Sequence, residues 1–128
     1  AGTGTTAAGI LSGINRKSLA TKMHIVPVLK GADFLKQEIN KLSNGASFEF
    51  HTEYHFGGYA KTSDELLNFI KDFTSSTGIL IDPVYTGKLF FAIYDLISKD
   101  YFARGSRILA VHTGGITGIL GMADRFKF

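Results

Sequence analysis

Three side chains that could take part in chemistry lie close together in the segment Asp82-Pro83-Val84-Tyr85-Thr86-Gly87-Lys88. Tyr85 could hold or transfer a proton, or offer a ring for stacking. Thr86 could cap a helix or contact a ligand. A Schiff-base role for Lys88 has no second feature to support it. Because Lys88 falls in the first turn of a predicted helix, we expect its side chain to face solvent.

The segment Gly2-Thr3-Gly4-Thr5-Thr6 combines glycine with hydroxyl groups ahead of a predicted helix. Glycine lets the backbone approach a ligand, and the first N–H groups of a helix point at the loop before it. Such a loop suits an anion such as phosphate, although a plain strand-to-helix turn explains the same residues. No Gly-Lys-Ser/Thr follows, and Ala7 stands where a dinucleotide fingerprint has its third glycine.

A similar turn, His112-Thr113-Gly114-Gly115, follows an apolar run. Thr113 could bond a ligand or cap the next helix. Tyr59 follows two glycines at a predicted loop tip, where packing is the commoner role of an aromatic side chain.

Three other side chains, those of His51, Glu53 and His55, alternate along the chain, so a strand would place them on one face. No further fixed ligand is evident and the chain has no cysteine, so we predict a polar strand face and no metal site.

Strands and helices that would position these residues alternate along the chain. Strand-like apolar runs are predicted at 24–29, 48–54, 79–81 and 107–111. Helical spacing follows each of the Gly/Thr turns, and Thr62 with Glu65 predicts a capping box before the buried face of another helix. Runs that are apolar on both faces indicate a parallel sheet covered on both sides, hence an α/β fold. In such folds, ligands bind where the carboxyl ends of strands meet helices.

Composition limits the class of protein. The chain has 128 residues, of which 45% are hydrophobic and 20% charged, which allows one globular domain. The net charge of +3 is spread along the chain without a basic cluster, so we expect no nucleic-acid partner. No apolar run approaches the ~18 residues that a membrane span needs, and the lack of cysteine is compatible with the cytoplasm. Because the chain begins inside a ligand-like loop, we expect it to be the C-terminal part of a longer protein.

Taken together, the segment at 82–88 and the turn at 112–115 resemble the C-terminal half of the D-cysteine desulfhydrase and 1-aminocyclopropane-1-carboxylate (ACC) deaminase family. These are pyridoxal 5'-phosphate enzymes of amino-acid metabolism, of the tryptophan synthase β-like type (fold type II). The resemblance runs from Gly2 to about Met122. It implies that residues 1–128 are the C-terminal portion of the cofactor-binding large domain, a Rossmann-like parallel sheet flanked by helices. It also implies that the reactive lysine lies in an N-terminal segment, or in another chain, that is absent here.

The resemblance assigns a role to each turn. The cofactor-binding residues that it implies are Gly2, Thr3, Gly4, Thr5 and Thr6 for the phosphate, Thr113 at the pyridine nitrogen, and Gly114. The catalytic residues that it implies are Tyr59 and Tyr85, over the substrate side of the cofactor, and Thr86. The deaminases have glutamate at the position of Thr86, whereas the desulfhydrase-like members have threonine.

The implied activity is that of a deaminase or lyase on a small amino acid. Such an enzyme labilises a bond at Cα and releases ammonia and a 2-oxo acid, with sulfide if the substrate is D-cysteine. The resemblance implies a homodimer, and the lack of cysteine leads us to expect a cytoplasmic location. We expect this fragment alone to be inactive. The alternative is a non-catalytic α/β module that binds a phosphate ligand or flavin, which the loop at 2–6 alone would support equally.

Overall fold

The fold is α/β, with a small parallel sheet and flanking helices. The structure, a computed structural model, describes residues 1–125, the side chain of Ala123 excepted. Positions 126–128, which the sequence assigns to the same domain, lie outside the described residues. The chain forms two compact units, Ala1–Tyr59 and a second that begins at Ala60. None of the helices described is both long and apolar enough to cross a membrane.

The first unit contains the sheet. Its elements are α1 (Thr5–Arg16), β1 (His24–Ile25), α2 (Asp33–Leu42) and β2 (Glu49–Phe50). The two strands pair in parallel, with Ile25 opposite Phe50. A parallel pair needs a crossover connection, and α2 supplies it. The core of the unit joins α1, α2 and β1 through Leu11, Ile39 and Ile25, with small alanines between them.

Both strands of the first unit are shorter than the sequence predicts. Pro27 has no N–H to donate to a ladder, so β1 ends before it. Beyond that point the backbone pairs with the start of the chain, since Val28 N–H donates to the Ala1 carbonyl at 3.0 Å and the Ala1 ammonium donates to the Val26 carbonyl. The predicted strands at 24–29 and 48–54 are thus present only in their first parts.

After β2 the backbone tightens into a 3-10 helix, Thr52–His55. His51, Glu53 and His55 therefore do not share the strand face that their alternation predicts. The His55 ring instead accepts the Gly57 N–H at 2.9 Å. Within residues 1–125, no three His, Asp or Glu side chains come together as metal ligands.

His51 instead pairs with His24. The two rings stack with centroids 5.3 Å apart, and Nδ1 of His24 lies 3.0 Å from Nε2 of His51. One nitrogen must donate and the other accept, so the contact requires at least one neutral ring. Burial lowers the pKa of His24 below its ordinary value of 6.5, and the charge of His51 lowers it further; Glu49 acts against this, and Lys22 acts with it.

Acidification should therefore destabilise the first unit. Because the folded state holds the pKa of His24 below 6.5, the unfolded chain takes up this proton first. The stability that neutral His24 provides is complete above that pH and is lost as the pH falls towards the folded pKa. Urea unfolding between pH 5 and pH 8 measures the effect. His24→Gln should flatten the curve in the acid range, and an undiminished slope in this variant would contradict the assignment.

The second unit is built on two packed helices. Its helices are α3 (Asp64–Thr77), α4 (Thr86–Ser98) and α5 (Thr117–Leu120). The predicted inner face of α3 is confirmed, since Leu66, Leu67, Ile70 and Phe73 are buried. Aromatic rings join α3 to α4, with Phe73 and Phe90 centroids 4.7 Å apart.

The cap of α3 is Ser63, and the capping box predicted from Thr62 is wrong. Ser63 is extended, which places its hydroxyl to accept the Leu66 N–H at 3.2 Å. The Thr62 hydroxyl instead accepts a hydrogen bond from the Arg125 guanidinium at 2.7 Å.

The two strands predicted in the second unit are not formed among the described residues. The segments 79–81 and 107–111 have no ladder partner there, and Leu80 and Leu109 are 44% and 88% exposed instead of buried. Strand propensity cannot produce a strand without a neighbour to pair with. One side-chain bond does link the two regions, since the His112 ring donates from Nε2 to the Leu80 carbonyl at 2.9 Å.

Candidate functional site

Asp82 organises the turn that leads into α4. Its side chain is 1% exposed. Carboxylate oxygen Oδ1 accepts the N–H groups of Val84 and Tyr85 at 2.8 and 2.7 Å, and Oδ2 accepts the N–H of Thr86 at 2.8 Å. The Asp82 carbonyl accepts the Gly87 N–H at 2.7 Å. Asp82 thus bonds four successive N–H groups at the start of the helix, which is the cap that a buried helix terminus requires.

The Thr86 hydroxyl also belongs to this network. It donates to Asp82 Oδ2 at 2.6 Å and accepts the Asp82 N–H at 2.8 Å. A hydroxyl has one proton to donate, so Thr86 has none left for a ligand while this bond is made. The residue is 2% exposed. Of the two roles considered for Thr86, capping the helix and contacting a ligand, the structure favours the first, because the hydroxyl is bonded within the turn.

Tyr85 is the N-cap residue of α4, immediately before Thr86. Its backbone N–H is held by Asp82 while 37% of the residue is exposed. Tyr85 is therefore carried on a fixed backbone and is partly exposed at the surface of the second unit.

The turn at 112–115 lies against the same carboxylate. Gly114 and Gly115 both have positive φ, 95° and 90°. A Cβ atom added to Gly115 would lie 3.0 Å from Asp82 Oδ2. Thr113 is exposed, and α5 begins later, with Ile116 as its N-cap and no side-chain cap bond. The capping role considered for Thr113 is therefore wrong, and the residue lies at the surface of the second unit.

In the first unit, the loop at 2–6 leads into α1 through Gly4. Gly4 has φ 81°, and an added Cβ would lie 2.7 Å from Ile39 Cγ1, so only glycine fits. As the N-cap, Gly4 offers no side-chain acceptor to the first N–H groups of α1, and the first turn carries no acidic residue. Thr3 and Thr5 are exposed, with their hydroxyls 3.3 Å apart. The loop therefore presents donors and no negative charge, as an anion site requires.

Tyr59 ends the first unit. It is 54% exposed and follows Gly57 and Gly58, which have φ of 92° and 127°. The glycines form the turn, and the ring at its tip is accessible rather than packed in the core.

Lys88 is buried, and its predicted place at the helix surface is wrong. It is 0% exposed, because the first turn of α4 faces inward with Thr86 and Gly87. Burial lowers its pKa from 10.5 to about 8, and the nearby negative charge of Asp82 acts in the opposite direction.

The predicted site residues divide between the two units. Gly2 to Thr6 and Tyr59 belong to the first, and Tyr85, Thr86, Thr113 and Gly114 to the second. Within the second unit, Asp82 bonds its own turn and lies beside the turn at 112–115, although it is not among the site residues predicted from the sequence. The available signal was an aspartate four residues before a threonine at a helix start, which is typical of a side-chain cap.

Comparison with known proteins covers nearly the whole chain. No protein-family model matches it. The chain is 34% identical over 132 residues to a bifunctional D-cysteine desulfhydrase/1-aminocyclopropane-1-carboxylate deaminase, mitochondrial, from Arabidopsis thaliana, covering 97% of this chain and 33% of that protein. It is 31% identical over 134 residues to a putative 1-aminocyclopropane-1-carboxylate deaminase from Pyrococcus horikoshii, covering 98% of this chain and 41% of that protein.

A solved structure gives the same result. The crystal structure of an ACC deaminase homologue superposes with a TM-score of 0.88 at 30% identity, over 98% of this chain and 41% of that one. The chain thus spans about a third to two fifths of the length of the relatives that it matches. Sequence and fold agree over the same extent, and the chain belongs, as a segment, to the D-cysteine desulfhydrase and ACC deaminase family.

Proposed function

We propose that the intact protein binds pyridoxal 5'-phosphate and acts on a small amino acid as a deaminase or lyase of the D-cysteine desulfhydrase type. The observation that carries the proposal is the donor-lined Gly4 turn, in a chain whose relatives are named as these enzymes. The products would be ammonia and a 2-oxo acid, with sulfide from D-cysteine. Threonine rather than glutamate at position 86 favours the desulfhydrase type.

The residues of the first unit fit the phosphate group. The N–H groups at the start of α1 have no acceptor within their helix, and the helix dipole adds partial positive charge there. Gly4 keeps the loop close to α2, where any side chain would clash with Ile39. We assign phosphate binding to the backbone of Gly2 to Thr6 and to the exposed hydroxyls of Thr3 and Thr5.

We assign the rest of the cofactor and the substrate to residues of the second unit, together with Tyr59 of the first. The Thr113 hydroxyl would bond the pyridine nitrogen, beside Gly114. Such a partner does not force the nitrogen to carry a proton, as a carboxylate would. Tyr85 and Tyr59 would orient the substrate and hold or move a proton at their phenol oxygens. When bound, pyridoxal phosphate supplies the electron sink for a bond breaking at Cα.

The function is tested with the full-length protein. Reconstitution with pyridoxal phosphate should give a visible absorption band that changes on addition of an amino acid. D-cysteine, L-cysteine and 1-aminocyclopropane-1-carboxylate are compared for release of ammonia, 2-oxo acid and sulfide. A protein that forms no such band, or that retains flavin in preference to pyridoxal phosphate, would overturn the proposal in favour of a binding module.

Thr113→Val should weaken cofactor binding by about five- to tenfold, because one hydrogen bond is worth about 1 kcal/mol. Thr113→Ser, which keeps the hydroxyl, should stay within about twofold of the wild type. Folding should be unaffected, since Thr113 is exposed. Absorbance titration of the apo protein with pyridoxal phosphate measures the affinities. Equal affinities for Val and Ser would remove Thr113 from the site.

The remaining parts of the proposal concern the intact protein. Its reactive lysine would lie outside these 128 residues, in the same chain or in a partner, so the fragment alone would be inactive. We also propose a homodimer, to be tested by sedimentation, and a cytoplasmic location, to be tested by cell fractionation. The Arabidopsis relative is named as mitochondrial.

A further inference from the structure

We propose that Asp82 is a positioning residue that couples two turns of the candidate site, the one carrying Tyr85 and the one carrying Thr113. The meaning of this coupling for catalysis rests on the proposed function. The coupling itself is a property of the second unit, and it can be measured without any cofactor.

The buried carboxylate of Asp82 accepts four hydrogen bonds. Oδ1 accepts two backbone N–H groups, and Oδ2 accepts one N–H and the Thr86 hydroxyl. Hydrogen bonds to an ionised acceptor are stronger than neutral ones, and four of them fix the carboxylate plane. The backbone N–H groups of Tyr85 and of the residues before and after it are therefore all bonded to the Asp82 carboxylate.

The other turn closely approaches the same carboxylate. The Cβ position of Gly115 lies 3.0 Å from Asp82 Oδ2 and 3.2 Å from Cγ. The Cβ position of Gly118 lies 3.7 Å from Asp82 Oδ1 and 3.7 Å from Val84 Cγ2. The Gly118 N–H closes this turn by donating to the Gly115 carbonyl at 2.8 Å. The turn after Thr113 and the start of α5 thus lie close to the carboxylate, and Gly115 leaves no room for a side chain beside Oδ2.

A shift of the carboxylate must therefore displace both turns. Tyr85 is held through its N–H, and Thr113 lies two residues before Gly115. Thr86 is a positioning residue as well, because its hydroxyl donates to Asp82 and not to a ligand. Asp82 would thereby set the distance between the Tyr85 phenol and the Thr113 hydroxyl.

Hydrogen exchange of the full-length apo protein tests the coupling in both directions. Asp82→Asn should speed exchange of the Thr86 N–H by about tenfold or more, since an amide nitrogen cannot accept it, and should also speed exchange of the Gly118 N–H. Gly115→Ala should in turn speed exchange at Thr86. An effect confined to the mutated turn in both variants would overturn the proposal.

Gly114→Ala is the matched control for Gly115→Ala. Both positions have nearly the same positive φ, 95° and 90°, so alanine is strained equally at each. Only Gly115 faces Asp82, because nothing lies within 4 Å of a Cβ added to Gly114. Exchange at Thr86 should therefore respond to Gly115→Ala and not to Gly114→Ala. Equal responses would show that backbone strain, not the carboxylate, carries the effect.

Thr86 provides a second variant pair if Gly115→Ala fails to fold. Thr86→Ser keeps the hydroxyl and should preserve the protection of the Gly118 N–H, whereas Thr86→Val should lose it. Equal protection in both would overturn the role of the hydroxyl. In the cofactor-loaded enzyme, Asp82→Asn should lower kcat by about tenfold while KM changes by less than about threefold, as expected for misplaced groups. A protein that binds no cofactor would refute the proposed function and leave the exchange result standing.

Discussion

Gly87→Ala should destabilise the chain by about 1–3 kcal/mol, because the new methyl group has no space. Its position would lie 2.6 Å from the Asp82 carbonyl oxygen and 2.7 Å from Ile70 Cδ1. The carbonyl is backbone and is already bonded to the Gly87 N–H, so it cannot move without breaking the start of α4. Urea unfolding of the chain measures the loss.

Gly9→Ala is the matched control. Gly9 lies within α1, and nothing lies within 4 Å of an added Cβ atom. Alanine should therefore stabilise the chain by about 0.5–1 kcal/mol through its higher helix propensity. If both variants changed stability in the same direction by similar amounts, the close packing of α4 on α3 at Gly87 would be contradicted.

Lys88→Met should stabilise the chain at pH 7 by up to about 3 kcal/mol. The pKa of Lys88 is lowered from 10.5 to about 8, so protonation of this amine is less favourable in the folded state than in the unfolded chain. At about 1.4 kcal/mol for each pH unit, this interval corresponds to a cost of about 3 kcal/mol for keeping the buried ammonium charged. Methionine has a similar volume and carries no charge.

The stability gained by Lys88→Met should depend on pH. Wild-type stability due to Lys88 is lowest below pH 8 and recovers as the pH rises from 8 towards 10.5, where the unfolded lysine also becomes neutral. The advantage of Lys88→Met should therefore shrink between pH 8 and pH 10.5. Urea unfolding of both proteins at pH 7, 9 and 10 measures it. A variant less stable than the wild type at pH 7 would show that the ammonium contributes more through its contacts than it costs.

Lys99→Met is the control for a lysine at the surface. Lys99 follows α4 and pairs with Asp95 at 2.6 Å, with 65% of its side chain exposed. A solvent-exposed pair is worth about 0–1 kcal/mol, so this substitution should change stability little. A gain as large as that of Lys88→Met would indicate a general effect of net charge rather than burial.

Much of the local structure follows from hydrophobic spacing. The α3 face of Leu66, Leu67, Ile70 and Phe73 is buried as its period predicts. In α4, by contrast, the apolar residue Ile97 is 51% exposed while Lys88 is fully buried. Lys88 is buried because the first turn of α4, with Thr86 and Gly87, packs inside the unit next to the Asp82 hydrogen bonds. Helical periodicity predicts which face of a helix is apolar, but not which turns of that helix other elements cover.

The α/β class, the family and the positions of the Gly/Thr turns can be predicted from the sequence, because periodicity, turn residues and motif order are local properties of the chain. What each turn does with its polar groups depends on tertiary packing. Packing commits the Thr86 hydroxyl to Asp82, leaves Thr113 exposed and buries Lys88. The reason is physical: hydrogen-bond partners and burial depend on residues brought together by packing, and in the segment Asp82 to Lys88 they made an aspartate, rather than the tyrosine or lysine, the group on which the turn is built.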